Sequence, residues 1–273
     1  MTLIDVTSAD ITRDRPFYEN AFGWTLAQDY PHYPILTAGN GPEMGIAMLG
    51  NPEAGAVEPL YRIGKVVVFF GVADVKEALR KADRLGGKVL HAERAVPTGG
   101  SFGVFQDPAG NAIAVVHDDR NRPAYGTPAT TVTAGREVDP AALVAISTPD
   151  VDGTRRYYEQ LFGLRLKEQS PGYPILTAGI GPDIGIAREG NPEAGPAEPL
   201  YRVGKQVVLL HTCDIETRLR AVEQGGGKTF LPRTPLESGG AYAFFTDPSG
   251  NAIGLLERPA AQTPQECSAI SGH

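Results

Sequence analysis

The segment Tyr33-Pro34-Ile35-Leu36-Thr37-Ala38-Gly39 occurs twice in this chain, the second time unchanged at Tyr173 to Gly179. The match continues beyond it, because 25 of the 33 residues from Tyr33 to Lys65 are identical to their counterparts from Tyr173 to Lys205. The offset is 140 residues throughout. Repeats of solenoid proteins are about 20–45 residues long, so a repeat of this length indicates a duplicated domain.

Two more pairs of segments follow the same offset. Phe17-Tyr18-Glu19-Asn20-Ala21-Phe22-Gly23 returns as Tyr157-Tyr158-Glu159-Gln160-Leu161-Phe162-Gly163. Asp107-Pro108-Ala109-Gly110-Asn111-Ala112-Ile113 returns as Asp247-Pro248-Ser249-Gly250-Asn251-Ala252-Ile253. No insertion interrupts the register, so the two copies should share one fold.

The duplication predicts the domain organisation. We place one module at residues 1–118 and the second at residues 141–258. Residues 119–140 are rich in Pro, Thr, Ala and Gly without an apolar period, which is typical of a linker. Residues 259–273 are polar and are predicted to form a flexible tail.

Each module is predicted to contain the same order of elements twice. Leu3–Ser8 has the pattern of a strand, and Thr12 to Phe22 that of a helix that ends at Gly23. The second round begins with the apolar run from Lys65 to Val72, and Asp74 then caps a helix that runs to Arg84. Three short strands follow each helix. The order strand, helix, three strands, repeated, predicts the α+β class.

Composition and charge exclude several classes of partner. With 25 Lys and Arg against 32 Asp and Glu, the net charge is −7, whereas nucleic acids and anionic membranes attract basic surfaces. The longest apolar run, Val66–Phe70, is far shorter than the roughly 20 residues of a membrane helix. The amino terminus lacks the pattern of a signal peptide, so we expect a cytoplasmic protein. Cys213 and Cys267, the only cysteines, are not expected to form a disulfide, because Cys267 lies in the polar tail.

The repeated segments carry a family resemblance. The helix end from Phe17 to Gly23, the turn from Asp107 to Asn111, and the dipeptides Asp74-Val75 and Asp214-Ile215 that open helices after apolar strands resemble the vicinal oxygen chelate superfamily. This superfamily includes glyoxalases, bleomycin-resistance proteins and extradiol dioxygenases, and the chain is most similar to tandem glyoxalase-like proteins of actinobacteria. The resemblance implies two modules of paired βαβββ units, each forming a curved mixed sheet around a cleft.

The resemblance also implies where a catalytic metal would bind. Metal-dependent members carry ligands on the first strand, on the apolar strand and on the last strand of a module. The corresponding residues here are aliphatic or small: Leu3, Val67 and Ala114 in the first module, and Leu143, Val207 and Gly254 in the second. Metal ligands must offer oxygen, nitrogen or thiolate donors. We therefore expect no metal and no other cofactor, and no metal-dependent glyoxalase or dioxygenase activity.

Two titratable residues are candidates for acid–base chemistry. His211 follows the apolar strand residues Val207–Leu210, where its side chain is able to enter the second cleft, and its counterpart Gly71 has no side chain. Asp5 lies on the first strand. Most histidines that differ between the copies are expected to be surface residues, and this alternative stays open for His211.

The other candidates would contact a ligand. Matched segments place Tyr61, Arg62, Tyr201 and Arg202 either on the rims of the clefts or in structured loops with surface Glu–Arg pairs. Strand aromatics Phe69, Phe105, Tyr242 and Phe244 line the clefts or belong to the core, and alternation turns about half of such residues away from a cleft.

These features support three functional hypotheses. The first is a metal-independent protein that binds an apolar or polycyclic aromatic small molecule, such as an antibiotic or its biosynthetic intermediate, for sequestration, self-resistance or biosynthesis. The alternative is a cofactor-independent isomerase, cyclase or lyase of secondary metabolism that uses Asp5 or His211. A third is an accessory partner of another enzyme with vestigial clefts. Pairing of the modules within one chain is compatible with a monomer, and a homodimer remains the other possibility.

Overall fold

The computed structural model describes residues 3–258 except 40, 53, 97, 98, 120–137, 171, 180 and 238, and it describes residue 193 without its side chain. Most of the predicted linker and the predicted tail at 259–273 therefore lie outside the described residues, and these two expectations stay predictions.

The elements follow the order predicted for each module. The first module contains β1 (Leu3–Ser8), α1 (Ile11–Phe22), β2 (Thr25–Tyr30), β3 (Tyr33–Thr37), β4 (Glu43–Met48), a 3-10 segment (Gly55–Leu60), β5 (Val66–Gly71), α2 (Val75–Arg84), β6 (Lys88–Ala95), β7 (Ser101–Gln106) and β8 (Ala112–His117). The second contains β9 (Ala141–Thr148), α3 (Val151–Phe162), β10 (Arg165–Glu168), β11 (Ile175–Thr177), β12 (Asp183–Arg188), a 3-10 segment (Pro192–Leu200), β13 (Gln206–His211), α4 (Ile215–Gln224), β14 (Lys228–Pro235), β15 (Ala241–Thr246) and β16 (Ala252–Glu257).

Each module forms one eight-stranded mixed sheet, which confirms the predicted fold class. The strand order is β2-β3-β4-β1-β5-β8-β7-β6 in the first sheet and β10-β11-β12-β9-β13-β16-β15-β14 in the second. The first strand of each βαβββ unit is parallel to the last strand of the same unit, as in β1 with β4 and β5 with β8. The two units of a module meet where β1 and β5 pair antiparallel.

The two faces of each sheet carry different clusters. Because side chains alternate along a strand, Ile4 and Val6 of β1 point to the helices, whereas Leu3 and Asp5 point to the other, concave face. The helix-side residues of both modules merge into a single buried core, which contains the helix residues Tyr18 and Tyr158. The concave faces thus form two separate smaller clusters, one in each module.

The repeated turn has a defined conformation because its aspartate binds its own backbone. Asp107 Oδ1 accepts hydrogen bonds from the backbone N–H groups of Gly110 and Asn111, both at 2.8 Å. Gly110 has φ 107°, a value that side chains rarely tolerate, which explains the glycine. Asp247 makes the same two bonds in the second copy.

The same turns join the two modules. The Tyr18 hydroxyl donates to Asp247 Oδ2 at 2.8 Å, and the Tyr158 hydroxyl donates to Asp107 Oδ2 at 3.0 Å. All four groups are buried. Burial raises the pKa of both aspartates, and the hydrogen bonds from the turns and the tyrosines oppose this shift. Two pairs of identical residues therefore bridge the modules in opposite directions.

The asparagines of the turns reinforce this bridge. Asn111 Nδ2 donates to the carbonyl of Ser147 in β9 at 2.9 Å, and Asn251 Nδ2 donates to the carbonyl of Thr7 in β1 at 2.7 Å. Each turn therefore binds the first strand of the opposite module. A module taken alone would leave these buried donors without those acceptors.

Two further expectations can be compared with the fold. Cys213 is disulfide-bonded, so the expectation of no disulfide is wrong; the composition of the tail does not determine which cysteines come within bonding distance. Cys267 lies outside the described residues. Among the residues that the structure describes, no helix combines the length and the apolar character that crossing a membrane requires.

We expect Tyr18→Phe to lower the free energy of unfolding by about 1–3 kcal/mol, because it removes one of the two hydrogen bonds that the buried Asp247 Oδ2 accepts and leaves the bond from Asn251 Nδ2. Urea unfolding measures the change. Tyr30→Phe is the matched control, since the half-buried Tyr30 hydroxyl donates only to Gln28 within its own edge strand, and its effect should stay within about 0.5 kcal/mol. Equal effects of the two substitutions would contradict a structural role of the crossed bonds.

Candidate functional site

The concave face of the first module is apolar at its centre. Leu3 of β1 pairs in register with Phe69 of β5, and Phe69 pairs with Ala114 of β8, so the three side chains form one row across the sheet. Val57 and Leu60 of the 3-10 segment pack over this row. The segment thus covers the middle of the concave face and removes it from solvent.

Asp5 is the polar exception on this face. Its side chain lies in the next row, opposite Val67, and is 1% exposed. Oδ1 accepts a hydrogen bond from the Tyr33 hydroxyl at 2.6 Å, and Oδ2 accepts one from the Tyr61 hydroxyl at 3.0 Å. Burial raises the pKa of Asp5 to about 7, although the two hydroxyls lower it. The carboxyl group therefore changes its charge near neutral pH.

A glycine makes this arrangement possible. Gly45 of β4 pairs with Asp5, and a Cβ atom there would lie 2.2 Å from Asp5 Oδ1 and 2.5 Å from the Tyr33 hydroxyl oxygen. Both distances are below any normal contact. The glycine thus leaves the space in which the carboxyl group and the hydroxyl meet.

The second module lacks the carboxyl group. Its residue at the position of Asp5 is the buried Ala145, and the hydroxyl of Tyr173 instead hydrogen-bonds that of Tyr201. The two rings pack edge to face with their centroids 6.0 Å apart. Burial raises the pKa of Tyr201 to about 12, so this pair stays neutral.

His211 is the titratable residue on the concave side of β13. It follows Val207 and Leu209 in the alternation of that strand, and it pairs with Leu256 of β16. The residue is 9% exposed, and its ring atom Nε2 is buried without a hydrogen-bond partner among the described residues. Burial, with a smaller contribution from the charge of Arg258, lowers the pKa of His211, so the ring is neutral at neutral pH.

Aromatic rings lie beside His211 in the second module. Tyr242 of β15 pairs with Leu256, and its ring packs edge to face on Phe244 with a centroid distance of 5.9 Å. The ring of Phe230 stacks on the ring of Phe244, with a centroid distance of 6.0 Å and an interplanar angle of 17°. Phe230 is 43% exposed, whereas Phe244 is buried. The three rings form a wall that begins in the core and ends at the surface.

The structure places Phe105 away from the concave face and pairs the two arginine candidates with glutamates. Phe105 points to the helix side, where its ring lies 6.3 Å from that of Tyr157, because the concave positions of β7 are its neighbours in the alternation. Arg62 and Arg202 bind the glutamates four residues before them, with Nη1 2.6 Å from Glu58 Oε1 and 2.5 Å from Glu198 Oε1. These guanidinium groups are hydrogen-bonded to glutamates of their own loops, and their predicted contact with a ligand stays a prediction.

The remaining candidates lie on the concave faces. Asp5, Tyr61 and Phe69 come together in the first module, and Tyr201, His211, Tyr242 and Phe244 lie on the concave side of the second. Tyr33 and Phe230 were not among the predicted site residues. Tyr33 was present in the repeated heptapeptide, but its contact with Asp5 depends on strand pairing across β4.

The concave side chains do not form a ligand set for a divalent metal. The row Leu3, Phe69 and Ala114 offers no donor atom, and both oxygens of Asp5 already accept hydrogen bonds from tyrosines. Within the part of the chain that the structure describes, no group of three His, Cys, Asp or Glu residues has the geometry to hold a metal ion. We therefore derive no reaction step through a metal.

Comparison with known proteins identifies related sequences and folds. The model of the Glyoxalase/Bleomycin resistance protein/Dioxygenase superfamily matches residues 2–115 and 141–255. The chain is 26% identical over 267 residues to the anthracycline biosynthesis protein DnrV of Streptomyces peucetius, covering 93% of this chain and 91% of that protein. It is 24% identical, with the same coverage, to the anthracycline biosynthesis protein DauV of a Streptomyces species. The 2,3-dioxygenase LapB from Pseudomonas sp. KL28 has a similar fold, with a TM-score of 0.65, 13% identity, and coverage of 97% of this chain and 93% of that chain.

We expect Asp5→Asn to flatten the pH dependence of stability. The pKa of Asp5 rises from 3.8 to about 7 on folding, so the folded state holds a proton that the unfolded state has lost. The wild type should therefore lose stability relative to the variant between pH 4 and pH 7, by up to about 4 kcal/mol, with no further change above pH 8.

Denaturant unfolding at a series of pH values measures this difference. Asp29→Asn, at a carboxyl group that is 68% exposed, is the control and should shift stability by a nearly constant amount. If the difference between Asp5→Asn and the wild type did not change with pH, the buried carboxyl group would have an ordinary pKa.

Proposed function

The chain belongs to the Glyoxalase/Bleomycin resistance protein/Dioxygenase superfamily, and from this premise we propose that it binds a small apolar or polycyclic aromatic molecule without a metal. One observation carries the proposal. The central row of the first concave face, Leu3, Phe69 and Ala114, consists of apolar side chains on the strands where metal-dependent members of the superfamily carry their ligands.

The residue composition of the concave faces supports an aromatic ligand. Small-molecule sites are lined mostly by apolar and aromatic groups, with a few polar groups that fix orientation. The first module offers Phe69 with the polar Asp5, and the second offers Tyr242 and Phe244 with the polar His211. Both faces therefore combine aromatic side chains with one polar group. This group is a carboxyl group in the first module and a neutral imidazole in the second.

The names of two relatives support a polycyclic aromatic ligand as part of this proposal. DnrV and DauV are named as anthracycline biosynthesis proteins, and an anthracycline contains a planar polycyclic aromatic system. A flat ligand of this kind buries a large area against aromatic side chains. We propose a role in secondary metabolism in which the protein sequesters such a molecule, protects the cell from it, or presents it during biosynthesis.

Asp5 favours a second candidate function, a cofactor-independent isomerase, cyclase or lyase. A carboxyl group with a pKa of about 7 is suited to both taking and giving a proton, and the hydroxyls of Tyr33 and Tyr61 are positioned as hydrogen-bond donors. Proton transfer would require a substrate to displace one hydroxyl from the carboxylate, because both oxygens are engaged in this structure.

We expect the purified protein to bind an anthracycline aglycone with a dissociation constant of tens of micromolar or less, and the affinity to be unchanged by excess EDTA. Equilibrium dialysis measures both. Tyr242→Ala should weaken binding about tenfold if the second concave face contributes one aromatic contact of about 1–1.5 kcal/mol.

Leu26→Ala is the matched control for truncation of an apolar side chain. Leu26 is exposed and pairs with Leu36, which belongs to the helix-side core, so it lies away from the concave face. Absence of binding to the wild type at tens of micromolar would refute the binding function. Turnover of a candidate substrate that disappears in Asp5→Asn would instead establish the enzyme.

A further inference from the structure

The two concave faces differ most at their outer edge, beyond the central row. In the second module this edge holds His211, Leu256 and Tyr242, which pair in register across three strands. The counterparts in the first module are Gly71, Val116 and Phe102, which pair in the same way. The duplicated fold therefore presents an imidazole in one module and no side chain in the other.

The aromatic wall also exists in one module only. Phe230, Tyr242 and Phe244 correspond to Leu90, Phe102 and Val104, so two of the three rings have aliphatic counterparts. Gly254 allows the wall to lie close to the sheet, since a Cβ there would be 2.8 Å from Phe244 Cε1. The first module has Ala114 at this position.

Among the residues that the structure describes, His211 Nε2 has no polar partner although the residue is buried. A buried polar atom without a hydrogen bond costs about 1–3 kcal/mol, so native structures satisfy nearly all of them. Nε2 of His211 is such an atom, on a residue that is nine-tenths buried. The groups that pack beside it on the concave side, Leu256 and Tyr242, belong to the ligand-facing cluster, and its backbone N–H donates to the carbonyl of Pro140.

The electrical environment keeps the imidazole neutral. The positive charge of Arg258 and the burial of the ring both disfavour the imidazolium. A neutral ring nitrogen either donates or accepts a hydrogen bond, depending on the tautomer. A phenolic hydroxyl satisfies either tautomer, because it is both a donor and an acceptor. An ether oxygen satisfies only one of them, and an unsubstituted aromatic ring satisfies neither.

The first module offers no comparable unsatisfied group on its concave face. Both oxygens of Asp5 are bonded to the hydroxyls of Tyr33 and Tyr61. Among the described residues, the buried side-chain atoms without a hydrogen bond include none from residues 3–119. The buried polar groups described on this face thus have hydrogen-bond partners without a ligand.

We propose that the second module alone holds the ligand, and that His211 Nε2 forms a hydrogen bond with a phenolic hydroxyl of a planar aromatic molecule that lies along the Phe230–Tyr242–Phe244 wall. This inference rests on the proposed function and adds to it the module, the anchoring residue and the functional group that is recognised. The first module is then a structural partner that shares the helix-side core.

Isothermal titration calorimetry with two matched probes tests the inference. The probes are 2,6-dihydroxyanthraquinone and 2,6-dimethylanthraquinone, which share one ring system, with methyl groups in place of the hydroxyl groups. We expect the wild type to bind one equivalent of the dihydroxy compound. His211→Leu should weaken this binding about tenfold, the value of one hydrogen bond, and should change the affinity for the dimethyl compound less than threefold.

Two controls separate anchoring from a structural role. His117→Leu makes the same change at a half-buried histidine of the first module, which contacts Val72 and Asp119, and should leave both affinities unchanged. The unfolding midpoint of His211→Leu should equal or exceed that of the wild type, because the substitution removes an unsatisfied buried atom.

The possible outcomes are distinct. An equal loss of affinity for both probes, an unchanged affinity of His211→Leu, or a stoichiometry of two would overturn this inference and leave the binding function intact. Failure of the wild type to bind either probe at tens of micromolar would overturn the binding function together with the inference.

Discussion

The whole architecture depends on two buried hydrogen bonds that cross between the modules, from Tyr18 to Asp247 and from Tyr158 to Asp107. One oxygen of each aspartate accepts hydrogen bonds from the backbone of its own turn. The other oxygen accepts the hydrogen bond from the tyrosine hydroxyl of the opposite module. Burial makes these carboxyl groups costly, so neither turn is well satisfied unless the modules are joined. This constraint places the helix sides of both sheets against each other in one core, and the concave faces lie on the other sides of the sheets.

The duplication then lets the two faces differ. Because the joined helix side carries the stability of the molecule, changes on a concave face alter chemistry without altering the fold. Asp5 has Ala145 as its counterpart, and His211 has Gly71. The same fold therefore carries different polar groups in the two modules. The first has a buried carboxyl group that accepts hydrogen bonds from two tyrosines, and the second has a buried imidazole with an unsatisfied nitrogen among the described residues.

This divergence explains why family membership does not determine the activity. The 2,3-dioxygenase LapB shares the fold at 13% identity, and a shared fold does not imply a shared function. In this chain the central row is apolar, and Asp5 and His211 each lie one row away from it. The positions of the polar side chains on the concave face thus decide whether the same sheet supports catalysis or ligand binding.

The sequence by itself determined the duplication, the α+β class and the order of elements, because these follow from local pattern: apolar alternation, capping aspartates and a constant offset of 140 residues. It also indicated Asp5 and His211 as candidate site residues, since Asp5 lies on the first strand and His211 at the end of an apolar strand. Tertiary structure decided what these residues do. The contact of Asp5 with Tyr33 and Tyr61 joins residues 28 and 56 positions away, and only strand pairing brings them together. The separation of Phe105 from the cleft and the pairing of Arg62 with Glu58 likewise depend on which face a strand presents and where a loop folds. Periodicity shows that the faces alternate, but only packing against a second module shows which face is inside.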